Sequence, residues 1–351
     1  MKFFEKISNS FLKGKPFTVY RKPQQEIVYA FIQKNTVLHE VKDYSEIGFV
    51  FAPFNNEQKS ILIPLDKSEY ISELYTSKTI KNITKKEVGK VPGREKHINL
   101  VAKGIKAIKE GEFKKVVLSR KQLVNLNVFD LIITYENLLK TYTNAFVYIW
   151  FHPKVGLWMG ATPETLLEIC DNSFKTMSLA GTQVVQENTA IVWNEKELVE
   201  QSLVTNYIKE QLQSVTDNLS IAALETFQIG SLLHLRTKIT GQFNSSLDSL
   251  ISRLHPTPAV CGLPANKGKK FIIDNEFYNR KFYTGFLGEL NLLNKEEKVT
   301  SNLFVNLRCM EIDVNLEKAN IYVGGGITKD SVPEKEWQET IAKSKAMLTV
   351  L

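Results

Sequence analysis

No stretch of this 351-residue chain approaches the run of about twenty apolar residues that a membrane helix requires. The first residues, Met1 to Lys15, are charged throughout and hold no apolar stretch of the kind a secretory signal uses. Cysteine is scarce: Cys170, Cys261 and Cys309 are odd in number, widely spaced and outside any metal-ligand pattern. That excludes a disulfide framework, suits free thiols in a reducing compartment and makes the cytoplasm the expected location. The net charge of +7 is spread over lysine-rich segments such as Lys78 to Lys90, with no arginine-rich or aromatic-interleaved run. Small acidic ligands are therefore favoured over nucleic acid. Repeats and low-complexity segments are also lacking, and 43% apolar residues suffice for one large or two smaller well-buried domains.

What is present reads as a mixture of strands and helices. Pro16–Tyr20, Ile27–Phe31, Ile47–Phe51 and Ser60–Ile63 have strand character, and Ser68 to Glu95 reads as a polar, lysine-rich linker or surface excursion. A helix is predicted over His97–Lys109, with Ile98, Val101, Ile105 and Ile108 on one stripe and Gly111 after its end. Strand Lys114–Leu118, helix Phe129–Thr141 and a hairpin of Ala145–Phe151 with Val155–Met159 follow. A long helix over Glu195–Val215 would face Leu198, Leu203, Tyr207, Ile208 and Leu212 inward. Strands Phe282–Leu290, Val299–Arg308 and Ala319–Val323 precede a terminal helix. Without regular alternation of strand and helix, the expected class is α+β with largely antiparallel sheets.

The densest signal is Gly324-Gly325-Gly326, read as a loop leading into a helix that carries Glu336, Glu339 and Lys343. Glycine admits close backbone approach to a ligand, and positions 336, 339 and 343 share one helix face. Ser331 and Glu334 have capping-box spacing, and Pro333 suits a first turn. Glu197 and Glu200 form a second Glu-x-x-Glu pair, so two helices together can hold a hard cation, with Mg²⁺ the natural choice. Each pair also suits a solvated helix face. In Lys114-Lys115, strand alternation directs one lysine inward, where it can act as a base, or leaves it snorkelling at a strand end. Glu164 follows Gly160-Ala161-Thr162-Pro163 at the start of a possible short helix, Glu164–Glu168. It is either a general acid or an ordinary helix-start carboxylate. His234 lies among leucines, Tyr283 beside Gly285, and Arg308 ends a strand, where a guanidinium suits a carboxylate ligand or a structural ion pair.

Taken in order, KKVVLSR, GATPETLLEI, SLAGT, EKELVEQ, LLHL, LHPTPAVCGLP, RKFYTGFLGEL, NLRCMEI, YVGGGI and PEKEWQETIAK resemble the chorismate-utilising enzymes. That family includes isochorismate, salicylate, anthranilate and aminodeoxychorismate synthases. The segment Leu254-His255-Pro256-Thr257-Pro258-Ala259 looks like the isochorismate synthase version. The resemblance implies stacked, largely antiparallel β-sheets with helices packed outside. Residues 1–95 would be a β-rich part of the same fold, and residues 96–351 the chorismate-binding catalytic part. It implies that Lys115 activates a water, Glu164 protonates the departing hydroxyl, and Glu200 with Glu339 holds Mg²⁺, supported by Glu197 and Glu336. Thr182 and Lys343 would assist the ring carboxylate. Tyr283, Arg308 and the backbone of Gly324 to Gly326 would meet the enolpyruvyl carboxylate, and His234 would line the ring. The expected protein is a monomer that turns chorismate into isochorismate without a glutamine amidotransferase subunit. Salicylate synthase and the aminating synthases are the alternatives. Gln201 and Gly325 depart from the family's usual His and Ala.

Overall fold

Alternating large apolar residues sort the chain into two sheets in the computed structural model, which describes residues 2–76, 92–126, 128–185, 191–229 and 232–351. The nine-stranded sheet runs in spatial order Gly262–Leu263, Lys115–Asn125, Lys318–Ile327, Cys309–Asp313, Gly156–Thr162, Phe146–His152, Phe17–Arg21, Ile27–Gln33 and Ser68–Leu74. The ten-stranded sheet runs Thr216–Ile221, Leu232–Phe243, Ser173–Val184, Thr165–Cys170, Val299–Val305, Phe286–Leu293, Gly48–Ala52, Ile61–Pro64 and His39–Glu40, with Glu225–Ile229 pairing off this path. Every pairing among the described residues is antiparallel. The expected α+β architecture is what the chain adopts.

An aromatic layer fills the space between the sheets. Phe51 stacks on Phe282 with centroids 4.2 Å apart, and Phe146 on Phe304 at 4.3 Å. Such pairs contribute about 0.5–1.5 kcal/mol each beyond their area burial. The outer faces are covered by helices. Helix Leu131–Thr141 buries Tyr135, Leu138 and Leu139 against the nine-stranded sheet, and Glu195–Leu212 buries Val204, Ile208 and Leu212 against the other.

Several readings change. The segment Phe3–Leu12, read only as charged, is a helix that buries Phe3, Ile7 and Ser10, because those residues recur at helical spacing beneath the charges. Ser68–Leu74 is an edge strand paired with Ile27–Gln33 rather than linker, while residues 77–91 of that stretch lie outside the described residues. Glu164–Glu168 is not a helix: Thr165–Cys170 pairs on both sides, because Leu166, Leu167 and Ile169 gain a buried sheet position. The helix Glu195–Leu212 is rotated from its predicted face, with Gln201 buried, Leu203 half-buried and Leu198 exposed. The strand predicted from Phe282 begins at Phe286, after a turn in which Lys281 and Thr284 have positive φ.

The three glycines lie in a strand, not in a loop. Gly324, Gly325 and Gly326 pair with Ser119, Leu118 and Val117, which extends the strand to Ile327. Helix Pro333–Leu348 starts at its proline as predicted, but its cap is Val332 and no side chain caps it. Ser331 instead accepts a hydrogen bond from the Thr328 N–H at 3.1 Å, so the expected capping box does not form.

Candidate functional site

A pocket opens where the glycine strand faces helices Glu195–Leu212 and Pro333–Leu348 and strand Ser173–Val184. Its lining includes Glu164, Ala180, Thr182, Glu197, Glu200, His234, Tyr283, Arg308, the three glycines, Glu339 and Lys343. The topology thus gathers residues from widely separated parts of the sequence. Free space amounts to about 100 Å³ because charged side chains reach across it.

Alternation along Lys115–Asn125 decides between the two lysines. Lys115 is 1% exposed while Lys114 is solvated. Lys115 lies behind the pocket wall at Gly326 and pairs with Glu200, Nζ to Oε1 2.9 Å. Glycine is required at 326, since a Cβ there would come within 2.3 Å of Glu200 Oε1 and 3.1 Å of Lys115 Cε. Glu164 is buried on the pocket side. Burial raises its carboxyl from the ordinary 4.5 to about 8, against the opposing charges of Lys115 and Lys343. With a strand following it, Glu164 has no helix start to serve.

The opposite wall is built for an anion. Arg308 adopts the left-handed backbone region, with φ of 46°, between strands Val299–Val305 and Cys309–Asp313. Its Nη2 donates to His234 Nε2 at 3.2 Å, and among the described residues no carboxylate pairs with it. The structural ion pair considered for Arg308 is absent there. His234 Nδ1 donates to the Gly181 carbonyl at 2.8 Å, which leaves Nε2 as the acceptor for Arg308. Burial first, then the charges of Arg308 and Lys343, push His234 down to about 3, so the ring is neutral. His234 therefore fixes the guanidinium as well as lining the pocket. Thr182 Oγ1 lies 3.4 Å from His234 Nδ1. Tyr283, buried and stacked on Tyr322 at 5.4 Å, holds its hydroxyl beside Gly324. Lys343 donates to the Gly324 carbonyl at 2.9 Å and pairs with Glu339 at 2.6 Å.

Four carboxylates complete the site. A Cβ on Gly325 would stand 3.3 Å from Glu339 Oε1 and 3.4 Å from Glu336 Oε2, so both acids converge on that backbone. Glycine in place of alanine gives them room. Burial and the neighbouring Glu339 raise the Glu336 pKa. Glu197 Oε2 is buried without a hydrogen-bond partner. An all-oxygen set with an orphaned acceptor suits a hard divalent cation. As they stand, however, no three Asp, Glu, His or Cys side chains among the described residues are gathered into a ligand cluster. Lysines engage three of the acids: Lys115 pairs with Glu200, Lys343 with Glu339, and Lys196 with Glu336 at 2.8 Å.

Lys196 was not singled out from sequence, although it stands one turn before Glu200 on the same helix. Gln201, the departure from the usual His, is 2% exposed, and its Nε2 donates to the Ser178 carbonyl and hydroxyl at 3.1 and 2.9 Å. It ties the helix to the strand that carries Ala180. No isolated sequence signal marks such a bridge.

Residues 33–351 match the family described as chorismate binding enzyme. The chain is 29% identical over 287 residues to the isochorismate synthase MenF of Escherichia coli K12, covering 74% of this chain and 61% of that protein. It is 26% identical over 272 residues to anthranilate synthase component 1 of Thermococcus kodakarensis, covering 74% and 60%. The match thus spans about three fifths of the length of these curated relatives. Among solved structures, a putative 2,3-dihydroxybenzoate-specific isochorismate synthase, DhbC, from Bacillus anthracis superposes with a TM-score of 0.80 at 22% identity, covering 99% of this chain and 98% of that one. The menaquinone-specific isochorismate synthase MenF of E. coli superposes at 0.79 with 21% identity, covering 96% and 88%. Among the described residues, no helix is long and apolar enough to cross a membrane.

Proposed function

Because the chain belongs to the chorismate binding enzyme family, we propose that it is an isochorismate synthase, an isomerase that exchanges the C4 hydroxyl of chorismate for a water oxygen at C2. One observation carries this reading: a carboxylic acid kept protonated near neutral pH, Glu164, shares a pocket with Arg308, a guanidinium that has no carboxylate partner among the described residues, and an inward lysine, Lys115, stands behind the pocket wall at Gly326. Chorismate is a dianion, which Arg308, Tyr283 and the glycine backbone would hold through its enolpyruvyl carboxylate. Thr182 and Lys343 would assist the ring carboxylate.

In this reading Lys115 takes a proton from the attacking water, whose oxygen bonds to C2. The ring double bonds shift, and the C4–O bond breaks as Glu164 delivers its proton to the departing hydroxyl. One water enters and one leaves, so the mass of the substrate is unchanged. A Mg²⁺ on Glu200 and Glu339, with Glu197 and Glu336 supporting it or its waters, would neutralise and orient the ring carboxylate. Glu200 committed there would release Lys115 from its ion pair. Separation of the lysine–glutamate pairs would also widen a pocket smaller than the roughly 300 Å³ at which small-molecule sites begin.

Ala180 favours this reading over amination. It lines the pocket and offers no nucleophile, whereas a lysine there would attack the ring itself. Salicylate synthase shares the first step and then eliminates pyruvate. Chromatographic identification of the products from chorismate, with and without Mg²⁺, tests the proposal. Isochorismate alone supports it; salicylate with pyruvate, or anthranilate with ammonium, overturns it.

A further inference from the structure

Strand Lys115–Asn125 has a second face, turned away from the pocket. Val116 and Leu118 pack on helix Arg94–Lys109, and Arg120 reaches helix Pro333–Leu348, where its Nε donates to Thr340 Oγ1 at 2.8 Å. Short strand Gly262–Leu263 covers only Lys115 and Val116 along that edge. Farther along it lies a cavity of about 170 Å³, lined by Gly93, Lys96, His97, Arg120, Lys121 and Tyr278 among others. That is room for several waters or one small oxyanion.

The cavity is cationic and unsatisfied. Arg120 is 8% exposed, and its guanidinium lies 4.6 Å over the Trp337 ring. Its Nη1 donates to Gln122 Oε1 at 3.1 Å, while Nη2 is buried with no partner. His97, 3% exposed, likewise has Nδ1 buried without a partner. Among the described residues, no Asp or Glu lines the cavity. The nearby Glu276 is consumed by Arg280 at 2.6 Å and the Ser119 N–H at 2.7 Å. Helix Arg94–Lys109 begins at the rim, and no side chain caps it. A buried guanidinium without a counter-ion is costly, and an oxyanion would satisfy it together with the positive end of the helix.

We infer that this cavity is a second ligand site, distinct from the candidate catalytic pocket, which takes the phosphoryl or carboxylate group of a small molecule. Arg120 is its anchor, and Lys96 and Lys121 are its outer cations.

The test is thermal unfolding of the full chain titrated with sodium phosphate and, separately, sodium succinate, with ionic strength held constant by sodium chloride. A saturable rise in Tm is expected with at least one anion, and the anion that saturates at lower concentration identifies the ligand class. Lys96 and Lys121 are exposed, so K96A/K121A retains the fold and should require roughly tenfold more anion. R120Q, where folded, should abolish the response, and R308Q should preserve it. No saturable rise with either anion, an unchanged response in K96A/K121A, or a loss in R308Q equal to that in K96A/K121A overturns the inference.

Discussion

Replacing Glu164 with Gln separates the acid from its shape. In the wild type, burial holds the carboxyl at about 8, so at pH 7 protonated copies outnumber ionised ones about tenfold. An acid that must be protonated loses competence as pH rises through that value, leaving about a tenth by pH 9. Glutamine cannot supply the proton, and kcat should fall by roughly 10²–10⁴-fold with little change in KM. Stability carries the same signature with a definite sign. The unfolded carboxyl titrates near 4.5 and the folded one near 8, so the folded chain binds the extra proton between those values and loses stability as pH rises across them. For this fully buried group the gap corresponds to about 5 kcal/mol. Glu164→Gln removes that slope and should be as stable as wild type near pH 4.5 but more stable at pH 9. Initial rates from pH 6 to 9 and urea unfolding at pH 4.5 and pH 9 measure the two effects. A variant that keeps its rate, or one that loses chorismate affinity with kcat intact, would refute the role of Glu164 as the acid.

Lys115→Ala should abolish turnover while the solvated Lys114→Ala keeps most of it; equal losses in steady-state kinetics would contradict the inward assignment. Glu200→Ala and Glu339→Ala should weaken Mg²⁺ dependence and activity together, and chelation of the wild type should stop turnover reversibly, whereas full activity in excess EDTA would rule out the metal. Gly326→Ala drives a methyl into Glu200 and toward Lys115, so a loss on the order of 10²-fold is expected with the fold intact by circular dichroism, and a near-normal rate would show that this close approach is dispensable.

Where one local rule governs, the sequence is a good guide. Strand alternation at Lys114-Lys115 calls for one lysine inside and one outside, as found, and the mixed element pattern leads to antiparallel sheets with helices outside. The failures come from tertiary packing that overrides local preference. Glu164 looks like a helix start until Leu166, Leu167 and Ile169 find neighbours on both sides. The triple glycine reads as a loop because glycine disfavours strands, yet in this sheet its missing side chains make space for Glu200, Glu336 and Glu339. Partnerships between distant residues were the least legible: nothing near Arg308 in the chain announces His234, and nothing near Glu336 announces Lys196. The resemblance to chorismate-utilising enzymes pointed to many residues of this pocket, but the ion pairs that close it appear only in three dimensions.

The central claim is that solvent oxygen replaces the chorismate hydroxyl at a site whose Ala180 offers no competing nucleophile. Chorismate turned over in ¹⁸O-labelled water should give isochorismate carrying one label at C2, with no aminated product when ammonium is added. An unlabelled C2 oxygen, or an amino product that accumulates with ammonium, would contradict both the hydroxyl exchange and the assignment built on it.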